Sequence, residues 1–226
     1  NKQHSENGGE GLLFLAEPSS SPSRLKLVKK IKKTFPKALW TEHSAVDSSG
    51  SERVAQSLLG KSLRSIPHFE NVKRVLSLDC DFLSSSDGHT AFVRSYADSR
   101  RVKNSRDAKG MSRLYSVEST LSSTGSAADH RLRLSASQIN SFAALIGAEI
   151  LSQTGGDSNL IASLKALGEG YDVDEKWVKE CANDLVEKSG KSIVMAGDHL
   201  PKEVHATVYA INEALKAPIS YVEVPK

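Results

Sequence analysis

The chain has 226 residues, with 30 Lys and Arg against 27 Asp and Glu and 38% apolar residues. That length holds one large or two small domains with a buried core, and a net charge of +3 is too slight to imply a nucleic-acid or membrane partner by itself. With two cysteines and no apolar run near the ~20 residues that span a bilayer, membrane-spanning, collagen-like and disulfide-scaffold classes are excluded.

Residues 1–10 (NKQHSENGGE) are polar and Gly-bearing and are expected to form a frayed tail ahead of one α/β domain over 11–226. Gly11–Ala16 is a continuous apolar run closed by Glu17-Pro18, the pattern of a strand buried on both faces. Arg24–Phe35 places Leu25, Val28, Ile31 and Phe35 on one helical face and lysines on the other. Lys37–Thr41 predicts a second strand, Ser51–Leu59 a short helix and Val72–Leu78 a third strand. Thr90–Val102 predicts a helix with Phe92, Val93 and Tyr96 inward, followed by a fourth strand over Arg113–Val117.

The second half repeats the theme. Leu132–Leu134 predicts a brief edge strand, and Ser135–Leu151 a helix capped by Ser135 or Ser137. Helices follow over Ser158–Leu167 and Asp174–Lys188, the second capped by Asp174. A strand over Ser192–Met195, a helix over Pro201–Leu215 and a strand over Ile219–Val224 complete the series. Strands alternating with helices imply a three-layer α/β sandwich, a mostly parallel Rossmann-like sheet flanked by helices. The chain opens without an initiator Met and closes on a strand that reads as cut off, so a segment of a longer protein is expected, whose localisation is that of the parent.

Few residues point to chemistry. The GKS tripeptides at Gly60–Ser62 and Gly190–Ser192 lack the Gly five positions earlier that a phosphate loop needs, and read as turns. Neither a GxGxxG after a strand nor a GxSxG elbow occurs. His199 and His205 are six apart, which sets their imidazoles on different helix faces, and Asp129-His130, which could pair behind a metal, reads rather as a capping or hydrogen-bonded loop histidine. Asp79-Cys80-Asp81 ends the third strand with two carboxylates, where acid–base or cation chemistry competes with ordinary loop polarity. The basic stretch Arg100, Arg101, Lys103, Arg106, Lys109 and Arg113 has no interleaved aromatics, so it reads as a solvated loop or a docking surface rather than a nucleic-acid site. Cys80 and Cys181 read as two buried thiols. The 34 serines gather after strand ends, at Ser19–Ser21, Ser84–Ser86 and Ser119–Ser126, where turn formation is their ordinary role.

Three blocks carry a resemblance. Arg113–Leu134 (RLYSVESTLSSTGSAADHRLRL), Leu76–Leu83 (LSLDCDFL) and Ser192–Leu215 (SIVMAGDHLPKEVHATVYAINEAL) resemble segments of the molybdopterin oxidoreductase (dimethyl sulfoxide reductase-like) superfamily. The likeness is nearest to the iron–sulfur subunit of alternative complex III, the quinol:cytochrome c oxidoreductase. In catalytic members, the loops after these strands help hold a molybdopterin guanine dinucleotide. There the first loop carries Gly-x-Asn and the second Asp-Pro-Arg. Here those positions read Asp79-Cys80-Asp81 and Glu118-Ser119-Thr120, which add negative charge and remove an arginine.

The resemblance therefore implies a cofactor-free, non-catalytic scaffold or docking domain of a modular iron–sulfur redox subunit in a respiratory electron-transfer complex. Its iron–sulfur clusters would lie elsewhere in the parent, since two isolated cysteines cannot ligate one. Its partners would be other domains of the parent and the haem and membrane subunits, with no nucleic acid and no direct membrane insertion. The parent would be exported and membrane-associated on the periplasmic side. The alternative is a nucleotide-contacting domain of a catalytic molybdopterin oxidoreductase, in which Glu118, Ser119, Thr120, Asp79 and Asp81 would touch the dinucleotide. A stand-alone small-molecule-binding α/β protein is a third reading.

Overall fold

Val75-Leu76-Ser77-Leu78 sends successive side chains to opposite faces, and all four are buried, so this segment lies in the middle of a sheet covered on both sides. The computed structural model of the chain describes residues 4, 6–47, 49–84, 89–171 and 173–224. Two compact units divide it, residues 1–47 with 223–226, and residues 48–222.

In the first unit, β1 (Leu13–Ala16), α1 (Pro22–Thr34) and β2 (Leu39–Glu42) form a strand–helix–strand unit with parallel strands. Ser21 caps α1 through the N–H of Arg24, and Leu25, Val28, Ile31 and Phe35 are half-buried, as their helical spacing predicts. Phe14 and Trp40 stack at 5.5 Å on one sheet face, with the Arg24 guanidinium 5.9 Å from the Trp40 ring. Leu13, Leu15 and Leu39 are 59%, 67% and 68% exposed, which corrects the expectation of a strand buried on both faces. The two strands cover each other's edges only, and the alternate residues open outward. Of the polar segment 1–10, residues 1–3 and 5 lie outside the described residues. Buried Gly9 packs on Phe35, and Gly8 accepts from the Lys37 N–H at 2.9 Å.

The second unit begins with α2 (Gly50–Leu59), β3 (Leu63–Pro67), β4 (Arg74–Leu78), α3 (His89–Ser99), β5 (Arg113–Glu118), the short α4 (Ser123–Ser126) and β6 (His130–Arg133). It continues through α5 (Ile139–Thr154), α6 (Ser158–Gly168), α7 (Glu175–Glu187), β7 (Ser192–Ala196), α8 (Lys202–Ala214) and β8 (Ile219–Glu223). The main sheet has the order β6-β5-β4-β7, every pair parallel. Register sets Leu76 beside Tyr115 and Val194, and Leu78 beside Val117; this face packs under α5, α7 and α8 around Phe142, Ile146, Leu185 and Ile211. The opposite face sets Val75 beside Leu114 and Ile193, covered by Phe69, Phe82 and, from α3, Tyr96. The result is the expected three-layer α/β sandwich.

Three details depart from the sequence expectations. β3, which pairs with β8, is short and polar and ends in Pro67, so it carries no strand signature. Val93 on α3 is exposed, because Phe92 and Tyr96 fill the helix's inner stripe. The helix expected from Ser135 begins at Ile139, after a 3-10 turn over Ala136–Gln138, and the Ser135 hydroxyl bonds Ser137 and Gln138 side chains instead of capping it. Asp174 caps α7 as expected, accepting from the N–H groups of Lys176 and Trp177. Gly60 and Gly190 have φ of 70° and 78°, so both GKS tripeptides are turns. Among the described residues no helix is long and apolar enough to cross a membrane.

Candidate functional site

In an open parallel sheet the ligand position lies beyond the carboxyl ends of strands, where the strand order reverses. Here the chain runs from β4 outward to β5 and β6, then returns to β7 on the other side of β4. The loops after β4 and β7 therefore leave the sheet side by side at Asp79 and Gly197.

Asp79 holds this point together. Its backbone is left-handed, φ 46°, which a non-glycine residue adopts at a cost. Its N–H donates to Val117 O at 2.7 Å, and the Gly197 N–H donates to Leu78 O at 2.9 Å. A Cβ at residue 197 would stand 2.2 Å from the Asp79 carbonyl, so only glycine lets the two loops approach this closely. One carboxylate oxygen accepts from the Ser119 N–H at 3.4 Å, and the other lies 3.1 Å from His199 Nε2. Asp81 accepts from both the N–H and the hydroxyl of Thr124, at 2.9 and 2.7 Å, and ties the loop after β4 to α4. Between the two acids the Cys80 thiol is pushed up to about 12, by burial first and then by the charges of Asp198, Asp81 and Asp79. It is neutral at physiological pH and poorly suited to nucleophilic or ligand work.

Glu118, at the end of β5, is 3% exposed. One oxygen accepts from Arg131 Nε at 2.6 Å and from the Ser122 N–H at 3.3 Å, and the other from the Ser122 hydroxyl at 2.5 Å. Ser122 in turn caps α4 through Gly125 N at 3.0 Å. Glu118 thus closes its own loop, and of its two neighbours Ser119 is half-buried and Thr120 exposed.

The predicted site residues are brought to one sheet edge, with Asp79 touching Ser119, while Glu118 and Asp81 face separate partners. Acids outnumber cations at this edge: Asp79, Asp81, Glu118 and Asp198 stand with Arg131, already engaged by Glu118, with Arg133, beside Glu118 in the register, and with His199. A dinucleotide's pyrophosphate calls for free N–H groups and positive charge, and the carboxylates of Asp79, Asp81 and Glu118 supply neither. Among the described residues no three His, Cys, Asp or Glu side chains gather as a metal site.

Other candidates resolve into structure. Arg100 grips Asp129 with two bonds, at 2.6 and 2.8 Å, and donates to Ser112 O, so the first member of the basic stretch braces β5. Burial pushes the Asp129 carboxyl up, but Arg100 and the Leu114 N–H outweigh it and hold it below its ordinary value. His130 stacks on Tyr115 at 4.8 Å, a ring contact in place of the expected loop hydrogen bond. Of Ser84–Ser86, residues 85 and 86 lie outside the described residues. The pairing of His199 with Asp79 escaped the sequence, because the partner is 120 positions away and only the β4–β7 register brings it near. Asp198-His199 directly after a strand was the one available signal.

No family model matches the chain, and no curated protein does. Among solved structures it is similar to acetylene hydratase from Pelobacter acetylenicus, with a TM-score of 0.60 and 14% identity over 96% of this chain. The chain spans only 30% of that protein's length. At this identity the likeness concerns the fold alone, and it does not extend to the alternative complex III subunit.

Proposed function

We propose that this chain is a structural domain of molybdopterin oxidoreductase-like architecture that binds no dinucleotide and serves as a scaffold within a larger iron–sulfur redox subunit. The observation that carries the reading is Glu118: the carboxylate whose counterpart could bond ribose or guanine is buried and closed by Arg131 and Ser122. Asp79 and Asp81 are likewise engaged across loops and present negative charge where phosphates would lie. Such an edge stiffens the ends of β4, β5 and β7 and leaves recognition to other surfaces. Membership of a respiratory complex, with haem-bearing and membrane subunits as neighbours, is the context in which a cofactor-free domain of this type would act.

The test is elemental analysis for molybdenum, tungsten and iron, with released-pterin fluorescence, on the native protein that contains this chain. Iron without pterin, molybdenum or tungsten is expected. Stoichiometric pterin with either metal, lost on Glu118→Gln, would instead make this edge part of a nucleotide site.

A further inference from the structure

The small net charge of the whole chain conceals a local one. α1 carries six cations and no acid, twice the chain's overall excess of +3. Lys26, Lys29, Lys30 and Lys33 fall at i, i+3, i+4 and i+7, a spacing that stacks them in one stripe, with Lys32 beside it. All five are exposed, while Leu25, Val28 and Ile31 form the half-buried stripe. Among the described residues none of the five is ion-paired, although Lys37 and Arg24 just outside the stripe do have partners. Lys26–Lys30 and Lys29–Lys33 are like-charge i,i+4 pairs that weaken the helix, and no acid on α1 offsets them.

We propose that this stripe is a peripheral docking surface for an anionic lipid bilayer, independent of the scaffold reading. Three features select a lipid surface. The outward stripe is all lysine, a mobile point charge suited to a diffuse field of headgroups, whereas protein interfaces favour arginine and deplete lysine. No aromatic residue stands within α1 on which a nucleic-acid base would stack. Leu27, 54% exposed, sits one helical neighbour from Lys30 and gives the rim of the stripe an apolar contact that can settle at headgroup level. The helix lies along the surface without inserting, since a 13-residue segment is too short to span a bilayer.

The experiment is vesicle co-sedimentation of the purified full chain, on phosphatidylcholine alone and on phosphatidylcholine mixed with phosphatidylglycerol, at low and high salt. Binding is expected only with phosphatidylglycerol and should collapse at high salt. Replacing Lys26, Lys29, Lys30 and Lys33 together by Gln should lower the partition coefficient by roughly five-fold per lysine, several hundred-fold in all. That variant relieves the like-charge pairs and should keep its helical circular dichroism. Replacing the same four by Arg should preserve binding. Equal binding to both vesicle types, a Gln variant that binds as well as the parent, or retention on an acidic protein or polyanion column without vesicle binding would each overturn the proposal.

Discussion

The carboxylate of Glu118 occupies the space that a side chain at residue 125 would need: a Cβ there would stand 1.7 Å from Glu118 Oε1. Gly125→Ala must therefore expel Glu118 from its pair with Arg131 or distort α4. A destabilisation of at least about 3 kcal/mol is expected, the scale of breaking a buried ion pair. In a Glu118→Ala background the same substitution should cost far less, because the obstruction is gone. A double-mutant cycle in urea measures the difference; a cycle without coupling would show that the two residues do not compete for that space.

At the opposite end of the sheet, Asp184 of α7 joins Arg74 at 2.6 Å, Arg113 at 2.7 Å and the Tyr115 hydroxyl at 2.8 Å. Burial pushes its carboxyl up, but the bonds from Arg74 and Tyr115 and the charges of Arg74 and Arg113 prevail and hold it below its ordinary value. A carboxylate with a depressed folded-state pKa contributes stability that is complete above the unfolded value of ~3.9 and is lost as pH falls through the folded value. Asp184→Asn should cost about 3–5 kcal/mol near neutrality. The deficit should shrink in acid, which unfolding curves at the two pH values will show. A deficit unchanged in acid would place its origin in packing.

Asn212 of α8 completes the outer edge of β7 as a neighbouring strand would. Its side-chain amide donates to Val194 O at 2.8 Å and accepts from Val194 N at 2.9 Å. Asn212→Leu leaves both buried backbone groups unpaired, at about 1–3 kcal/mol each. Amide hydrogen exchange should report faster exchange at Val194 in particular, and unchanged protection there would contradict the pairing.

His205 of α8 is 3% exposed, its Nε2 has no hydrogen-bond partner among the described residues, and a Cβ at Gly50 would stand 3.0 Å from that atom. Burial lowers its pKa against the opposing pull of the Asp198 charge and of the Asp198 and Leu200 carbonyls, with nearby His199 adding to the lowering. The folded state thus binds the proton less readily than the unfolded chain. Stability from this group is complete above the unfolded value of ~6.5 and is lost as pH falls through the lower folded value. The melting temperature should drop between about pH 7.5 and about pH 5.5, and His205→Leu should flatten that part of the profile. A profile of the same slope in the variant would assign the acid sensitivity to another group.

The order and type of nearly all elements were legible in the sequence, because helix and strand periods are local. Leu25, Val28 and Ile31 reveal α1, and Ser192–Met195 reveals β7, without reference to anything distant. Cap chemistry was legible for Asp174, whose acceptor reaches its own next turn, and illegible for Ser135, which was drawn to neighbouring side chains. The convergence of Asp79 and Glu118 at one sheet edge also followed from strand order, since both end parallel strands.

What each of those residues touches was decided only by tertiary structure. That Glu118 pairs with Arg131, that Asp79 meets His199 and that β1 leaves Leu13 and Leu15 exposed depend on register and layer count. The same holds for Asp184, whose arginines lie 110 and 71 positions earlier and meet it because β4 and β5 run side by side under α7. Sequence spacing carries period, and period selects elements. Partners across a parallel sheet are set by crossover connections whose lengths leave no local trace, so the charge balance of the edge emerges only when the strands are side by side.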